Sequence, residues 1–233
     1  MLAAFLAKIA EFRRDRSAVA ATEMAFIAPV IIVLGLAGVD TANYVIATEQ
    51  VSEVAGTISQ MITTTGPASP GSSSGNVSNV DLQFYHDSAA VIFPGVLNDA
   101  AAHGISPWYK DIQISTASVQ FTPAPSTCTS NCSYKATALW VAGDNPRPCD
   151  YSFASVPDSS TPSTTTLPSD LFAPGTIIVV DVVFTYHPTF ASFLGAGLTI
   201  ARSSYVAPRY VSVVNYQASA TNPTGGILAT TCP

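Results

Sequence analysis

The stretch MAFIAPVIIVLGLAGV, residues 24–39, decides the fold because it holds sixteen consecutive residues without a charge. A helix needs about 20 apolar residues to cross the hydrocarbon of a bilayer. The span reaches that length when it extends over residues 17–48, which encloses Glu23 and brings Asp40 to its edge. The sequence therefore predicts one transmembrane helix over residues 17–48.

The charge distribution around this span predicts its orientation. Residues 1–16 carry a net charge of +2, whereas the total for the chain is −6. No comparable basic cluster follows the span, and loops rich in arginine and lysine stay in the cytoplasm. We therefore expect residues 1–16 to be a cytoplasmic basic segment and the rest to be exported, with orientation set by Arg13, Arg14 and Arg16. A cleavable signal peptide is the alternative, but its basic region would be unusually long and no Ala-x-Ala site closes the apolar run.

The helix is predicted to continue beyond the membrane as an extension over residues 49–62. Apolar residues in this region recur at alternating spacings of four and three, which places them on one face of a helix. They are Ala47, Val51, Val54, Ile58 and Met61. We expect this stripe to pack on the exported domain, and packing on a neighbouring copy is the alternative.

Composition and cysteine content constrain the exported part. Only 10% of the residues are charged, and the region after the basic segment is acidic, so phosphate would repel it and nucleic acid is not an expected partner. In an exported domain, four cysteines suggest two disulfides with three possible pairings. A local pair between Cys128 and Cys132 would leave Cys149 for Cys232. The alternative is a zinc site, because Cys-x3-Cys also has metal-ligand spacing.

Turn and strand signals predict an α+β domain over residues 80–233. A Gly-, Pro- and Ser-rich linker over residues 63–79 precedes it. Residues 87–103 are helical in composition, with a break at Pro94-Gly95. The four strand candidates are rich in β-branched and aromatic residues or alternate in polarity, and they cover residues 112–121, 134–142, 176–186 and 198–206. The fold class is therefore a long N-terminal transmembrane helix followed by an exported domain with a small antiparallel sheet and short helices.

Catalytic motifs do not occur in the sequence. There is no Gly-x-Ser-x-Gly elbow, no His-Glu-x-x-His pair and no phosphate-binding glycine loop. The chain has three histidines, and His187 before Pro188 suggests a turn residue rather than a base. Asp181, inside an apolar strand, is expected to point outward from a half-exposed sheet. We therefore expect no enzyme activity, no cofactor, no metal site and no small-molecule substrate.

The N-terminal pattern RRDRSAVAATEMAFIAPVIIVLGLAGVD, followed by TANY, resembles the TadE/TadG-like proteins of the tight adherence (Tad, or Flp) pilus assembly system. In that family an arginine-rich start, small residues, a glutamate, an aliphatic Ala-Pro segment and a closing aspartate recur together. The resemblance is specific over about residues 10–50. It is looser over residues 176–210, where VVDVVFTYHPTFASFLGAGLTIARSSYVAPRY looks like the late strand and closing segment of the family.

The resemblance implies a pseudopilin or minor pilin without catalytic activity, in the bacterial inner membrane with a periplasmic domain. Its partners would be other pilin-like subunits and the Tad secretion machinery. Glu23 would be the pilin glutamate, the fifth residue of a chain cut between Ala18 and Val19. Ala18 in place of glycine and Met24 in place of tyrosine depart from the processed members, so we expect the N-terminal segment to be retained. A membrane-anchored periplasmic domain that binds a ligand or protein, unrelated to pili, is the alternative.

Overall fold

The computed structural model describes residues 16–190 and 197–233. Among these, one compact unit holds residues 16–45 and 188–190, and a second holds residues 46–187 and 197–233. A single helix, α1 (Arg16–Thr63), contributes its first part to one unit and its last part to the other. The fold class is α+β, as predicted.

The first part of α1 is apolar and exposed. Pro29 lies inside the helix without ending it, and residues 24–34 expose almost every large apolar side chain, with Phe26 81% exposed and Leu34 66% exposed. The helix from Ala21 to Thr63 is long and apolar enough to cross a membrane, with a mean hydropathy of 2.1 over its most apolar 18-residue window.

The last part of α1 is buried in the second unit. Val51, Val54 and Ile58 are fully buried, and so is Ile62 one turn further. Near the end of this part, the hydroxyls of Ser59 and Ser204 lie 2.8 Å apart, so the helix contacts the strand that contains Ser204. The predicted stripe and its packing on the protein's own domain are therefore confirmed, although Met61 is only half-buried.

The second unit is built on a five-stranded antiparallel sheet. The four longer strands coincide closely with the four predicted segments, which are rich in β-branched and aromatic residues. The bounds are β2 (Ile112–Ala124), β3 (Ser133–Gly143), β6 (Gly175–Tyr186), β7 (Leu198–Val206) and β9 (Ala229–Thr231). The strands lie in the order β7-β6-β2-β3-β9, and the register of β2 with β3 shifts between Ser118 and Val119.

A second, two-stranded sheet corrects the predicted linker over residues 63–79. Within that segment, β1 (Ser74–Val77) pairs in parallel with β8 (Val213–Tyr216). Glycine and serine are poor strand formers, but the ladder to a distant segment supplies the hydrogen bonds that local propensity does not favour. The insertion between β3 and β6 likewise contains two short parallel strands, β4 (Ala154–Val156) and β5 (Thr166–Pro168).

Three short helices follow β1. Helix α2 (Asn79–Asp87) begins at a capping box, in which the Ser78 hydroxyl accepts from the backbone of Asp81 and the Asp81 carboxylate accepts from the backbone of Ser78. Helices α3 (Ala89–Ile92) and α4 (Gly95–Ala102) lie on either side of Pro94, where the sequence predicts a break. Single 3-10 turns cover Trp108–Lys110 and Ser169–Leu171.

Candidate functional site

Glu23, the predicted assembly residue, lies on the exposed part of α1. It is itself exposed, one residue before the uncharged run, and Met24 and Phe26 beside it are 60% and 81% exposed. An acid at the edge of an apolar helix surface is costly in hydrocarbon unless a positive charge or a proton neutralises it. The first part of α1 is therefore a surface suited to lipid or to other apolar helices, with one carboxylate at its start.

The other N-terminal residues singled out from the sequence lie at or beyond the start of the described structure. Arg13 and Arg14 lie outside the described residues. Arg16, Ala18 and Val19 lie in the first turns of α1, and their side chains are also outside the described part.

Asp40, at the edge of the apolar span, is buried in the first unit. Its side chain accepts the backbone N–H of Thr189 at 3.0 Å and that of Phe190 at 3.0 Å, and the residue is 7% exposed. Backbone donors satisfy a carboxylate as well as water does, so the acid can be buried here. The aspartate that closes the apolar span therefore holds the backbone of residues 189–190 against α1.

All four cysteines are paired in disulfides. Cys128 pairs with Cys132 and Cys149 with Cys232, with Cα–Cα distances of 5.7 Å and 5.1 Å. This pairing agrees with the possibility that Cys128 and Cys132 form a local bond and Cys149 pairs with Cys232. Because Cys128 and Cys132 are oxidised, they provide no thiolates for the alternative zinc site. Disulfides persist in oxidising compartments, which fits an exported domain.

The sequence led us to expect that Asp181 points to solvent. In the structure its carboxylate instead forms a buried ion pair with Arg147. The guanidinium Nε lies 2.7 Å from Oδ2 and Nη2 lies 3.0 Å from Oδ1 of the carboxylate. The hydroxyl of Ser203 on β7 also donates to Asp181, and Arg147 donates to the carbonyl of Thr166 at 2.8 Å. The pair therefore joins the insertion to strand β6, which lies between β7 and β2.

A cavity of about 340 Å³ opens beside helix α2. It is lined in part by His86, Asp87, Trp108 and Tyr109, and by Gly143 at the end of β3. His86 is buried and its Nε2 atom has no hydrogen-bond partner. Desolvation lowers the pKa of His86 from its ordinary 6.5 to about 4, against the smaller opposing effect of the charge on Asp87. The cavity therefore presents a neutral imidazole next to two aromatic rings.

Two histidines and two aspartates meet at one end of the large sheet, and we call them the Asp–His cluster: Asp99, His103, Asp111 and His187. His187 Nδ1 lies 2.8 Å from Asp99 Oδ2, and His103 Nδ1 lies 3.5 Å from Asp99 Oδ1. The two imidazole rings stack, with centroids 4.0 Å apart. His187, expected to be a turn residue, is therefore part of this cluster.

Asp111 is the most buried member of the cluster at 6% exposure, and its Oδ2 atom has no hydrogen-bond partner. Burial, then the charge of Asp99 and a hydrogen bond with its side chain, raise the pKa of Asp111 to about 6, and the two histidines partly counter this. One proton shared between two carboxyl groups would relieve their repulsion.

The sites differ in how far a sequence pattern reveals them. The exposed helix and the local disulfide follow from contiguous motifs, whereas the Asp–His cluster and the Arg147–Asp181 pair join residues that are distant in the chain. For these, an ionisable residue inside or just beyond a strand is the available signal, as at Asp181 and His187. Searches with this chain against protein-family models, curated proteins and solved structures gave no match.

Proposed function

We propose that this chain is a non-catalytic, membrane-anchored pilin-like subunit that acts in the assembly of a Tad/Flp-type pilus, as a TadE/TadG-like protein. The observation that carries the proposal is the division of α1. One continuous helix exposes its apolar residues over residues 24–39 and buries them from Val51 to Ile62. A membrane anchor that continues directly into the core of an exported domain is what a subunit needs if it passes from a bilayer into a helical bundle.

The exposed part of α1 requires an apolar environment. Side chains such as Phe26 and Leu34 would otherwise hold a contiguous apolar surface in water, which soluble domains avoid. Lipid and the matching helices of neighbouring subunits both satisfy this requirement. The resemblance over residues 10–50 favours both environments, one after the other. The helix would first lie in the lipid of the bacterial inner membrane and then among the helices of an assembly.

Glu23 is the residue we assign to assembly. If the chain is cut between Ala18 and Val19, the new N-terminal amine of one subunit becomes a partner for the Glu23 carboxylate of another. Opposite charges are tolerated in a medium of low dielectric constant when they are paired and hydrogen-bonded. If the N-terminal segment is retained, the Glu23 carboxylate needs a positive charge or a proton from another source, because an unpaired acid is costly at the edge of the hydrocarbon.

The test is the variant Glu23→Ala, compared with Glu49→Ala as a matched control. Both residues are exposed acids on α1, but Glu49 lies beyond the apolar run. We expect Glu23→Ala to abolish pilus formation or subunit incorporation while the two disulfides still form, and Glu49→Ala to leave piliation intact. Normal piliation in Glu23→Ala would overturn the assembly role. Intact-mass measurement separates the two processing states, because a retained chain has the full 24.2 kDa.

The second candidate is a membrane-anchored periplasmic domain that binds a ligand or another envelope protein. The cavity lined by His86, Trp108 and Tyr109 favours it, because a concave site with aromatic walls and a neutral imidazole suits a small polar ligand. In this case Glu23→Ala leaves function unchanged, whereas Trp108→Ala removes binding.

A further inference from the structure

We propose that Asp99, His103 and His187, supported by Asp111, form a binding site for a divalent transition-metal ion such as Zn²⁺. This site goes beyond the assembly role, because it lies in the second unit and does not involve the exposed part of α1. One ligand atom from each of Asp99, His103 and His187 lies within 4.8 Å of the other two.

The topology of the sheet brings these residues together. Strand β2 begins one residue after Asp111, and strand β6 ends one residue before His187. The antiparallel register pairs Ile112 with Phe184, so the start of β2 and the end of β6 lie at the same end of the sheet. Asp99 comes from the last turn of α4 and His103 caps its C-terminus. Three elements therefore each present charged or imidazole groups to one point.

The spacing matches that of a small cation. Ligand atoms at about 2.0–2.2 Å from a tetrahedral zinc ion lie about 3.4 Å from one another. The two Nδ1 atoms lie 2.8 Å and 3.5 Å from the carboxylate oxygens of Asp99, and His103 Nδ1 also lies 2.9 Å from the backbone carbonyl oxygen of Asp99, so a bound ion would replace these hydrogen bonds. Small side-chain rotations would therefore place the three groups around one ion, and His103, whose side chain is 41% exposed, has room to make them.

The donor set selects the class of metal. Two imidazoles with carboxylate oxygen suit Zn²⁺, Ni²⁺ and Cu²⁺, whereas Ca²⁺ and Mg²⁺ take oxygen ligands. Exposure of His103 and His187 at 41% and 25% of their side chains provides a path for the ion to enter.

Asp111 supplies the observation that points to a bound cation. Its carboxyl group is buried against that of Asp99, and one of its oxygens has no hydrogen-bond partner. Two carboxyl groups in contact repel each other when both are ionised, and a divalent ion removes the repulsion. Asp111 would either complete the coordination or orient Asp99 as a neighbour of the ligand shell. An ion-pair network between Asp99 and the histidines, without metal, is the competing explanation.

The experiment uses the full chain in detergent, without a polyhistidine tag and with its disulfides intact. After treatment with a chelator, the protein is titrated with Zn²⁺ by calorimetry and with Co²⁺ by visible absorption. We expect one ion per chain, a raised Tm with Zn²⁺, and the intense visible bands of four-coordinate Co²⁺. No saturable binding at one ion per chain would overturn the proposal and leave the ion-pair network.

Variants locate the ion. We expect His103→Gln to lower Zn²⁺ affinity at least 100-fold, and Asp111→Asn to lower it about 10- to 100-fold, as for residues that support a ligand. The control is Asp170→Asn, because Asp170 belongs to an exposed carboxylate pair with Asp158 and should leave affinity unchanged. His103 is exposed, so its variant should fold, and unchanged affinity in it would exclude this site. A response to Ca²⁺ equal to that to Zn²⁺ would exclude coordination by imidazole.

Discussion

Arg147 and Asp181 form a two-pronged ion pair in the interior, with the guanidinium Nε 2.7 Å and Nη2 3.0 Å from the two carboxylate oxygens. The Arg147 side chain is fully buried and that of Asp181 is 13% exposed. Ser115 and Ser203 flank Asp181 in the register of β2 and β7, so a polar row crosses three strands of the sheet. The carboxylate can be buried because arginine and serine supply its donors.

Replacing Arg147 with methionine leaves a buried carboxylate without its cation. We expect Arg147→Met to lower the free energy of unfolding by about 3–5 kcal/mol, measured by chemical denaturation of the full chain in detergent. The control Arg202→Met, at an exposed position on β7, should change it by less than about 0.5 kcal/mol. The double variant Arg147→Met/Asp181→Leu should recover most of the loss. A single variant as stable as the native chain would contradict the role of the pair.

The two disulfides should differ in their effect on stability. Cys149 and Cys232 are separated by 83 residues and Cys128 and Cys132 by 4. The entropy of closing these loops predicts a loss of about 4–5 kcal/mol for Cys149→Ser/Cys232→Ser and about 2 kcal/mol for Cys128→Ser/Cys132→Ser. Denaturant unfolding of both double variants without reductant provides the comparison. Equal losses would contradict an effect set by the length of the closed loop.

Acid should destabilise the second unit through His86. The folded pKa of about 4 lies below the ordinary 6.5, so between these values the unfolded chain binds a proton that the folded chain does not. The contribution of His86 to stability should therefore fall as pH drops from 6.5 to 4, with a slope of up to about 1.4 kcal/mol per pH unit, whereas the raised pKa of Asp111 acts in the opposite direction. His86→Gln should remove this contribution, so the difference in unfolding free energy between the two proteins should vary with pH in this window. If the difference in unfolding free energy did not vary with pH, the pKa of His86 would not be lowered by folding.

Gly143 should resist substitution more strongly than Gly71, although both have a positive φ. Its φ is +90°, and an added Cβ would overlap the carbonyl oxygen of Ile114, which accepts the N–H of Asp144 at 3.0 Å. Gly71, with φ +79°, has open space around it. Gly71→Ala should cost about 1–2 kcal/mol from backbone strain alone, and Gly143→Ala more than about 3 kcal/mol. Thermal unfolding of the two variants gives the ranking, and similar shifts would show that the loop after β3 moves aside.

Much of the fold could be predicted from short sequence patterns. The strand over residues 176–186 is marked by consecutive β-branched residues, and the buried stripe of α1 by its spacing. Both signals arise within one element, where side-chain direction follows directly from residue number. The same holds for the Cys128–Cys132 bond, because four residues keep two thiols close.

What could not be predicted depends on register between distant segments. Nothing near Gly75 or Asn76 indicates a strand, because its partner lies at residues 213–216. Likewise, Asp99 and His187 come together because α4 and the end of β6 meet at one end of the sheet. Asp181 is buried because the insertion folds back and places Arg147 beside it. A single sequence contains no measure of these distances.

The parallel pairing of β1 with β8 has a consequence for the order in which the protein is made. A ribosome completes Ser74–Val77 well before it reaches Val213–Tyr216. Strand β1 therefore remains without its partner strand during most of the synthesis of the domain. The indole N–H of Trp140 also lacks its acceptor during this time, because it donates to the carbonyl of Val214. The nascent domain therefore carries an open strand edge and an incompletely bonded tryptophan until β8 arrives, and in that interval a holding chaperone would protect it from aggregation.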